Sequence, residues 1–170
     1  MIIREVRPSD FDDVVATFYS FFPEVEADPG FGLVLYNEMP TMEEERKWFD
    51  NALAAIKEGN MIMVVAEVDS HVVGNSQLRR VRPKTPADHR GELGLCVKKE
   101  FRGRGIGEAL LRATIDKARG RFDVIDLTVL SHNRAKKLYE KLGFRTYGTR
   151  KYAVKRAGKY FDEDLMILKL

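Results

Sequence analysis

Residues 100–111 read EFRGRGIGEALL. Gly103, Gly105 and Gly107 alternate with Arg104 and Ile106, and Arg102 stands just ahead of them. Glycine is the poorest ordinary helix former, yet the residues behind it fall at helical spacing. The chemistry this arrangement suits is anion binding. A first helical turn leaves backbone N–H groups unpaired and carries partial positive charge. Glycines let that backbone approach a phosphate, and two arginines add charge-assisted donors. A tight strand-to-helix turn with solvated arginines is the plainer alternative. A P-loop is excluded, because no Lys-Ser or Lys-Thr follows the glycines. The dinucleotide fingerprint fails as well, because Glu108 stands where it needs glycine or alanine. The single cysteine, Cys96, and the scattered His71, His89 and His132 form no metal-ligand cluster, so no metal is expected.

The elements that would carry this loop can be read from periodicity. IIREVR alternates as a strand, and Ser9 offers a helix N-cap ahead of Val14, Val15 and Phe18. Residues 22–40, with three prolines and two glycines, read as irregular. Thr41 and Glu44 make a capping box before a helix that carries Trp48, Phe49, Leu53 and Ile56 and stops near Gly59. MIMVVAEV and HVVGNSQLRRV then form a hairpin turning at Asp69–Ser70, and GELGLCV is a third strand running into the glycine loop. The helix behind the loop presents Leu110, Leu111, Thr114, Ile115 and Ala118 on one face. FDVIDLTVL reads as a buried strand, Ser131 to Leu142 as a second helix closed by Gly143, and FRTYGTRKYAV with KYFDEDLMILKL as two final strands. The order β-α-α-β-β-β-α-β-α-β-β is α/β, with a strand–helix–strand crossover around the loop.

Charge narrows the partners. The net charge is +3, but residues 1–60 hold 5 Lys/Arg against 13 Asp/Glu, a balance of −8, so the remainder sums to +11. An anionic ligand therefore belongs on the C-terminal two-thirds. Nucleic acid would also suit that balance, but it is not the expected partner. No apolar run approaches the roughly 20 residues of a membrane helix. The beginning of the chain shows no apolar signal core, so a cytoplasmic protein is expected.

R-G-R-G-I-G matches [Q/R]-x-x-G-x-[G/A] and so resembles the acyl-CoA pyrophosphate loop of the GNAT superfamily of N-acetyltransferases. NRAKKLYEKLGF (133–144) is similar to the second signature of that family, with Ala135, Tyr139, Gly143 and Phe144 at matching positions. Asn133 departs from it, lying two residues before Ala135 where the pattern asks for three. The resemblance implies a single-domain GNAT-like α/β fold over residues 1–170, a mixed central sheet of about six to seven strands flanked by about four helices.

The resemblance further implies transfer of an acetyl group from acetyl-CoA to a primary amine by direct attack on the thioester. The acceptor would be a protein N-terminus, a lysine or a small amine. Arg102, Gly103, Arg104, Gly105, Ile106 and Gly107 would hold the pyrophosphate, and Leu95, Cys96 and Val97 would run beside the pantetheine arm. The Val97 N–H would face the carbonyl on which charge develops. Tyr139 would protonate the departing thiolate, and packing in the Ala135–Leu138–Leu142 stripe is its plainer role. Glu92, on the strand before the loop, is a candidate base or an ordinary surface glutamate. A base matters more for a lysine amine near ~10.4 than for a terminal amine near ~7.7–8.0. Asn133 would bond the pantetheine, or simply cap its helix. Family members acting on ribosomal-protein alanine termini keep a glutamate where this chain has Thr128. The acceptor would be read by residues 20–45, which are acidic and aromatic, and by the basic, tyrosine-bearing hairpin at 150–160. A catalytically silent acyl-CoA-binding module is the alternative, and a homodimer is open.

Overall fold

The computed structural model describes residues 1–32, 36 and 38–170 of the chain. β1 (Ile2–Glu5) leads through a 3-10 turn at Pro8–Asp10 into α1 (Phe11–Tyr19), α2 (Phe21–Ala27) and α3 (Met42–Lys57). There follow β2 (Met61–Val68), β3 (His71–Arg80), β4 (Arg90–Val97), α4 (Ile106–Ala118) and β5 (Val124–Leu130). α5 (Lys136–Lys141), β6 (Arg145–Arg156) and β7 (Lys159–Lys169) complete the chain. The β2–β3 turn falls at Asp69 and Ser70, with φ of 49° and 66°; two positive φ values give the turn whose twist matches its strands. The capping box at α3 forms as expected: Glu44 N–H donates to Thr41 Oγ1 at 3.3 Å and Thr41 N–H to Glu44 Oε2 at 2.8 Å.

Three boundaries differ from the sequence reading. Ser9 does not cap α1. It lies inside the 3-10 turn, and the Asp10 carboxylate anchors the entry instead, taking the Arg7 N–H at 2.7 Å and the Arg4 guanidinium at 2.7 and 2.8 Å. A carboxylate with a cationic partner holds more strongly than a neutral hydroxyl. Residues 22–40 are not irregular throughout, because α2 occupies Phe21–Ala27. Its Pro23 sits in the first turn, where the missing N–H would be unpaired anyway. Leu33, Val34, Leu35 and Asn37 in that stretch lie outside the described residues. Regular helix in 131–142 is confined to α5, because Asn133 Oδ1 accepts the Ala135 N–H at 2.9 Å and holds the chain in a turn.

The seven strands form one mixed sheet in the order β1-β2-β3-β4-β5-β7-β6. α4 and α5 cover one face, where Ile62, Leu78, Leu110, Leu111, Ile125 and Met166 interlock. α1 and α3 cover the other face at β2 and β3, through Phe11, Val15, Phe49, Met63 and Val65. A buried hydroxyl pair, Thr114 Oγ1 to Ser76 Oγ at 2.9 Å, fixes α4 on β3. Only β4 and β5 are parallel, and their pairing runs from Arg90–Val124 to Glu92–Asp126 and stops. β4 continues to Val97 and β5 to Leu130, so their carboxyl ends part. In open α/β sheets such a gap is where ligands bind. No helix among the described residues is long and apolar enough to cross a membrane.

Candidate active site

α4 begins directly at the gap between β4 and β5. Its N-cap is Gly105 at φ 78°, with no side-chain cap, and Gly103 has φ 74°. A Cβ on either glycine would meet no atom within 4 Å. The left-handed torsions explain why glycine is needed here, and the open space above them is room for an anion. The first-turn N–H groups of α4 face it without intrahelical partners. Gly107 turns inward, where its Cβ position lies 3.4 Å from Leu138 of α5 and 3.6 Å from Leu95 of β4. The loop therefore meets both other predicted segments, and Ile106 is buried beneath it. Arg104 is exposed over the Phe101 ring. These residues suit a pyrophosphate by shape and by charge.

Arg102 is placed differently from the rest of the loop. Its Nη1 and Nη2 donate to the Glu24 carboxylate of α2 at 2.7 Å each, and its Nε donates to the Val97 carbonyl at 2.8 Å. The guanidinium is thus directed at α2 and the end of β4. Sequence separation hid this pairing; the acidic character of residues 20–45 was its only visible trace.

Tyr139 lies 8% exposed, edge-on to Phe144. Burial, and then proximity to Cys96, push its hydroxyl up to about 12, so it keeps its proton at neutral pH. Its hydroxyl has no hydrogen-bond partner among the described residues, where no fully buried side-chain polar atom is left unpaired. The hydroxyl is therefore not completely enclosed, and it lies close to Cys96. The Cys96 thiol is itself raised to about 11 by burial, which the Arg102 charge only partly offsets. A neutral, half-buried thiol is a poor nucleophile.

Glu92, Gly94 and Cys96 share the sheet face opposite Leu93 and Val97, as their alternation predicts. Glu92 is exposed in a cleft of about 260 Å³ that it lines with Arg90, Asp126, Thr128, Tyr147 and Arg150. Arg90 is held on Asp126 by bonds of 3.0 and 2.6 Å, and Arg150 on the buried Glu163 at 2.8 Å. The cleft therefore carries charge of both signs, with its two arginines each paired to a carboxylate. Asn133 Oδ1 is engaged in its own turn by the Ala135 N–H. The two acceptor-side stretches meet: Arg156 of the hairpin donates to the carbonyls of Pro29, Phe31 and Gly32, and His132 lies 2.8 Å from the Gly30 carbonyl. Sequence reasoning missed Asp164. This buried carboxylate takes Ser131 Oγ and Thr149 Oγ1, each at 2.8 Å, and Lys136 Nζ at 2.5 Å, tying the α5 entry to β6 and β7. Among the described residues, no group of three or more metal-ligating side chains comes together.

Comparison with known proteins agrees with this geometry. The profile of the acetyltransferase (GNAT) family matches residues 22–144. An L-amino acid N-acetyltransferase of Escherichia coli strain K12 is 36% identical over 102 residues, a stretch spanning 58% of this chain and 62% of that enzyme. An L-methionine sulfoximine/L-methionine sulfone acetyltransferase of Pseudomonas paraeruginosa is 29% identical over 171 residues, 99% of this chain and 94% of that one. The crystal structure of a ribosomal-protein-alanine N-acetyltransferase from Brucella melitensis superposes over the whole of both chains, with a TM-score of 0.85 at 27% identity. The chain belongs to the acetyltransferase (GNAT) family of N-acetyltransferases.

Proposed function

We propose that the protein transfers the acetyl group of acetyl-CoA to the primary amine of a small, amino-acid-like acceptor, by direct attack and without an acetylated enzyme. One observation carries this reading. The open glycine turn on the uncapped start of α4 and the proton-bearing Tyr139 both lie at the parted ends of β4 and β5. When bound, acetyl-CoA supplies the activated carbonyl and a thiolate leaving group.

The chain supplies the rest. Gly103, Gly105 and the first turn of α4 hold the pyrophosphate by backbone N–H groups. The unpaired edge of β4 beyond Glu92 offers the Val97 N–H to the charge that builds on the carbonyl oxygen. Glu92 accepts the proton that the amine must lose, directly or through one water. Tyr139 gives its proton to the departing sulfur. The neutral Cys96 thiol takes no covalent part.

Two features favour a small acceptor. The cleft beside Glu92, about 260 Å³, is below the roughly 300–1,000 Å³ of drug-sized pockets. Arg150, exposed and bonded to Glu163 through Nη1 alone, suits a carboxylate, while Glu92 suits the amine of the same molecule. The names of two relatives point the same way, toward amino acids and methionine derivatives. The test is release of CoA thiol from acetyl-CoA in the presence of single acceptors: L-amino acids, L-methionine sulfone, a peptide with a free alanine terminus, and a polyamine. Turnover is expected with amino acids and L-methionine sulfone and is weak with the polyamine. Turnover confined to the peptide would overturn the acceptor assignment. Tight acetyl-CoA binding with no turnover on any amine would mark a silent binding module.

A further inference from the structure

α2 is seven residues long, and none of its side chains is fully buried, although Phe21, Phe22, Glu24 and Val25 are half-buried. A helix that short has no stability of its own, so its position depends on what those half-buried side chains touch. Its position rests on ring contacts, edge-on for Phe18 with Phe22 and tilted for Phe21 with Phe31, and on one ion pair. That pair is Glu24 with Arg102, residues 78 positions apart in sequence, with side chains only 14% and 31% exposed. The same guanidinium lies 5.0 Å from the centroids of both Phe21 and Phe31 and bonds the Val97 carbonyl. It belongs to the residue next to Gly103, the first of the open glycines. One side chain therefore joins four things: α2, the Phe31 turn, the end of β4 and the loop over which a pyrophosphate would lie. A bidentate guanidinium–carboxylate pair is geometrically stiff, so it transmits position where a single flexible contact would not.

Resting on the function proposed above, we propose that Arg102 and Glu24 are positioning residues that couple the acceptor-side cover, α2 and the turn at 28–32, to the coenzyme loop. The far side of that cover is already tied to the hairpin by Arg156 and to the α5 entry by His132. The α2 side is held to the coenzyme loop through Arg102. Filling the loop fixes the backbone on both sides of Gly103, which fixes Arg102, which seats α2 over the end of β4 before the acceptor arrives. The acceptor then meets a formed wall instead of paying to order one.

The test is hydrogen–deuterium exchange on the full chain, with and without CoA, for wild type, Glu24→Gln and Arg102→Lys. The first variant removes the charge, and the second keeps the charge but loses the fork. In wild type, CoA is expected to slow exchange at 103–109 and, by about tenfold, at 21–32, a usual size for coupling between two sites. In Glu24→Gln the protection at 103–109 stays and the CoA-dependent protection at 21–32 is lost; Arg102→Lys loses the latter too. A merely structural pair would speed exchange at 21–32 equally with and without CoA, and that result overturns the proposal. Protection at 21–32 that persists in both variants, or is missing in wild type while 103–109 is protected, also overturns it. Absence of protection at 103–109 in wild type would instead remove the coenzyme site, and both readings with it.

Discussion

Replacing Gly105 by alanine adds one methyl group at φ 78°, in space where no atom lies within 4 Å. Nothing in the protein is struck, so the cost to folding is the left-handed backbone alone, about 1–2 kcal/mol for an L-residue. In a chain of this length that lowers Tm by roughly 2–8 °C. Gly120 is a matched control, with φ 75° and equally open surroundings. It lies just past the other end of α4, about 20 Å away at 1.5 Å per residue. Gly120→Ala should therefore lower Tm by the same amount. Coenzyme binding separates the two. On the proposed function, a methyl group at Gly105 stands where the pyrophosphate meets bare N–H groups. A charge-assisted hydrogen bond there is worth about 1.5–3 kcal/mol, so losing one weakens acetyl-CoA by roughly 10- to 150-fold. Calorimetric titration with acetyl-CoA, beside thermal melts of both variants, reads each quantity. Equal acetyl-CoA affinity in Gly105→Ala, Gly120→Ala and wild type would refute the assignment of this loop, whatever the melts show.

Tyr139→Phe keeps the ring in its pocket against Phe144 and removes only the hydroxyl; kcat should fall by about 10²–10⁴-fold with Tm nearly unchanged, measured by thiol release and melting. Because the Tyr139 proton is held up to about 12, the wild-type profile of kcat against pH should show no descending limb from this group up to pH ~10. A fall centred near neutrality would contradict that. Glu92→Gln should lower kcat most at low pH, where deprotonating the amine is hardest, and recover partly as alkali does the work of the base; a uniform loss across pH would make Glu92 a contact and not a base. Burial alone would raise the Asp164 carboxyl, but hydrogen bonds from Lys136, Thr149 and Ser131 bring it below its ordinary value. Its stabilising contribution is thus present above the unfolded-chain value near ~3.9 and is lost as pH falls through the lower folded value. Chemical-denaturant titrations of Asp164→Asn against pH should show a flatter acid limb than wild type.

What was legible in the sequence had local causes. The glycine loop announced itself because left-handed torsions at a helix entry demand glycine, and the Thr41–Glu44 box because capping is settled within four residues. Glu92 was placed on the correct face because strand alternation has a period of two. The features that escaped the sequence reading depended on partners remote in the chain. The ion pair of Arg102 with Glu24 joins residues 78 positions apart. Ser9 had the right chemistry for a cap but lost the position to Asp10, which Arg4 holds. Asn133 bonds only two residues ahead, so the regular helix begins later than its apolar stripe implied. The cleft around Glu92 draws Tyr147 and Arg150 from β6 and Asp126 and Thr128 from β5, a meeting that only the strand order creates.

The measurement that bears most directly on the account is mass spectrometry of a single mixture of enzyme, acetyl-CoA and L-methionine sulfone, following the protein and the small molecules together. The account predicts an acetyl group on the amine nitrogen of the acceptor, free CoA in equal amount, and an enzyme whose mass never changes. An enzyme that gains one acetyl group on Cys96 from acetyl-CoA alone, and passes it on when the amine is added, would contradict direct transfer and the neutral thiol on which it rests.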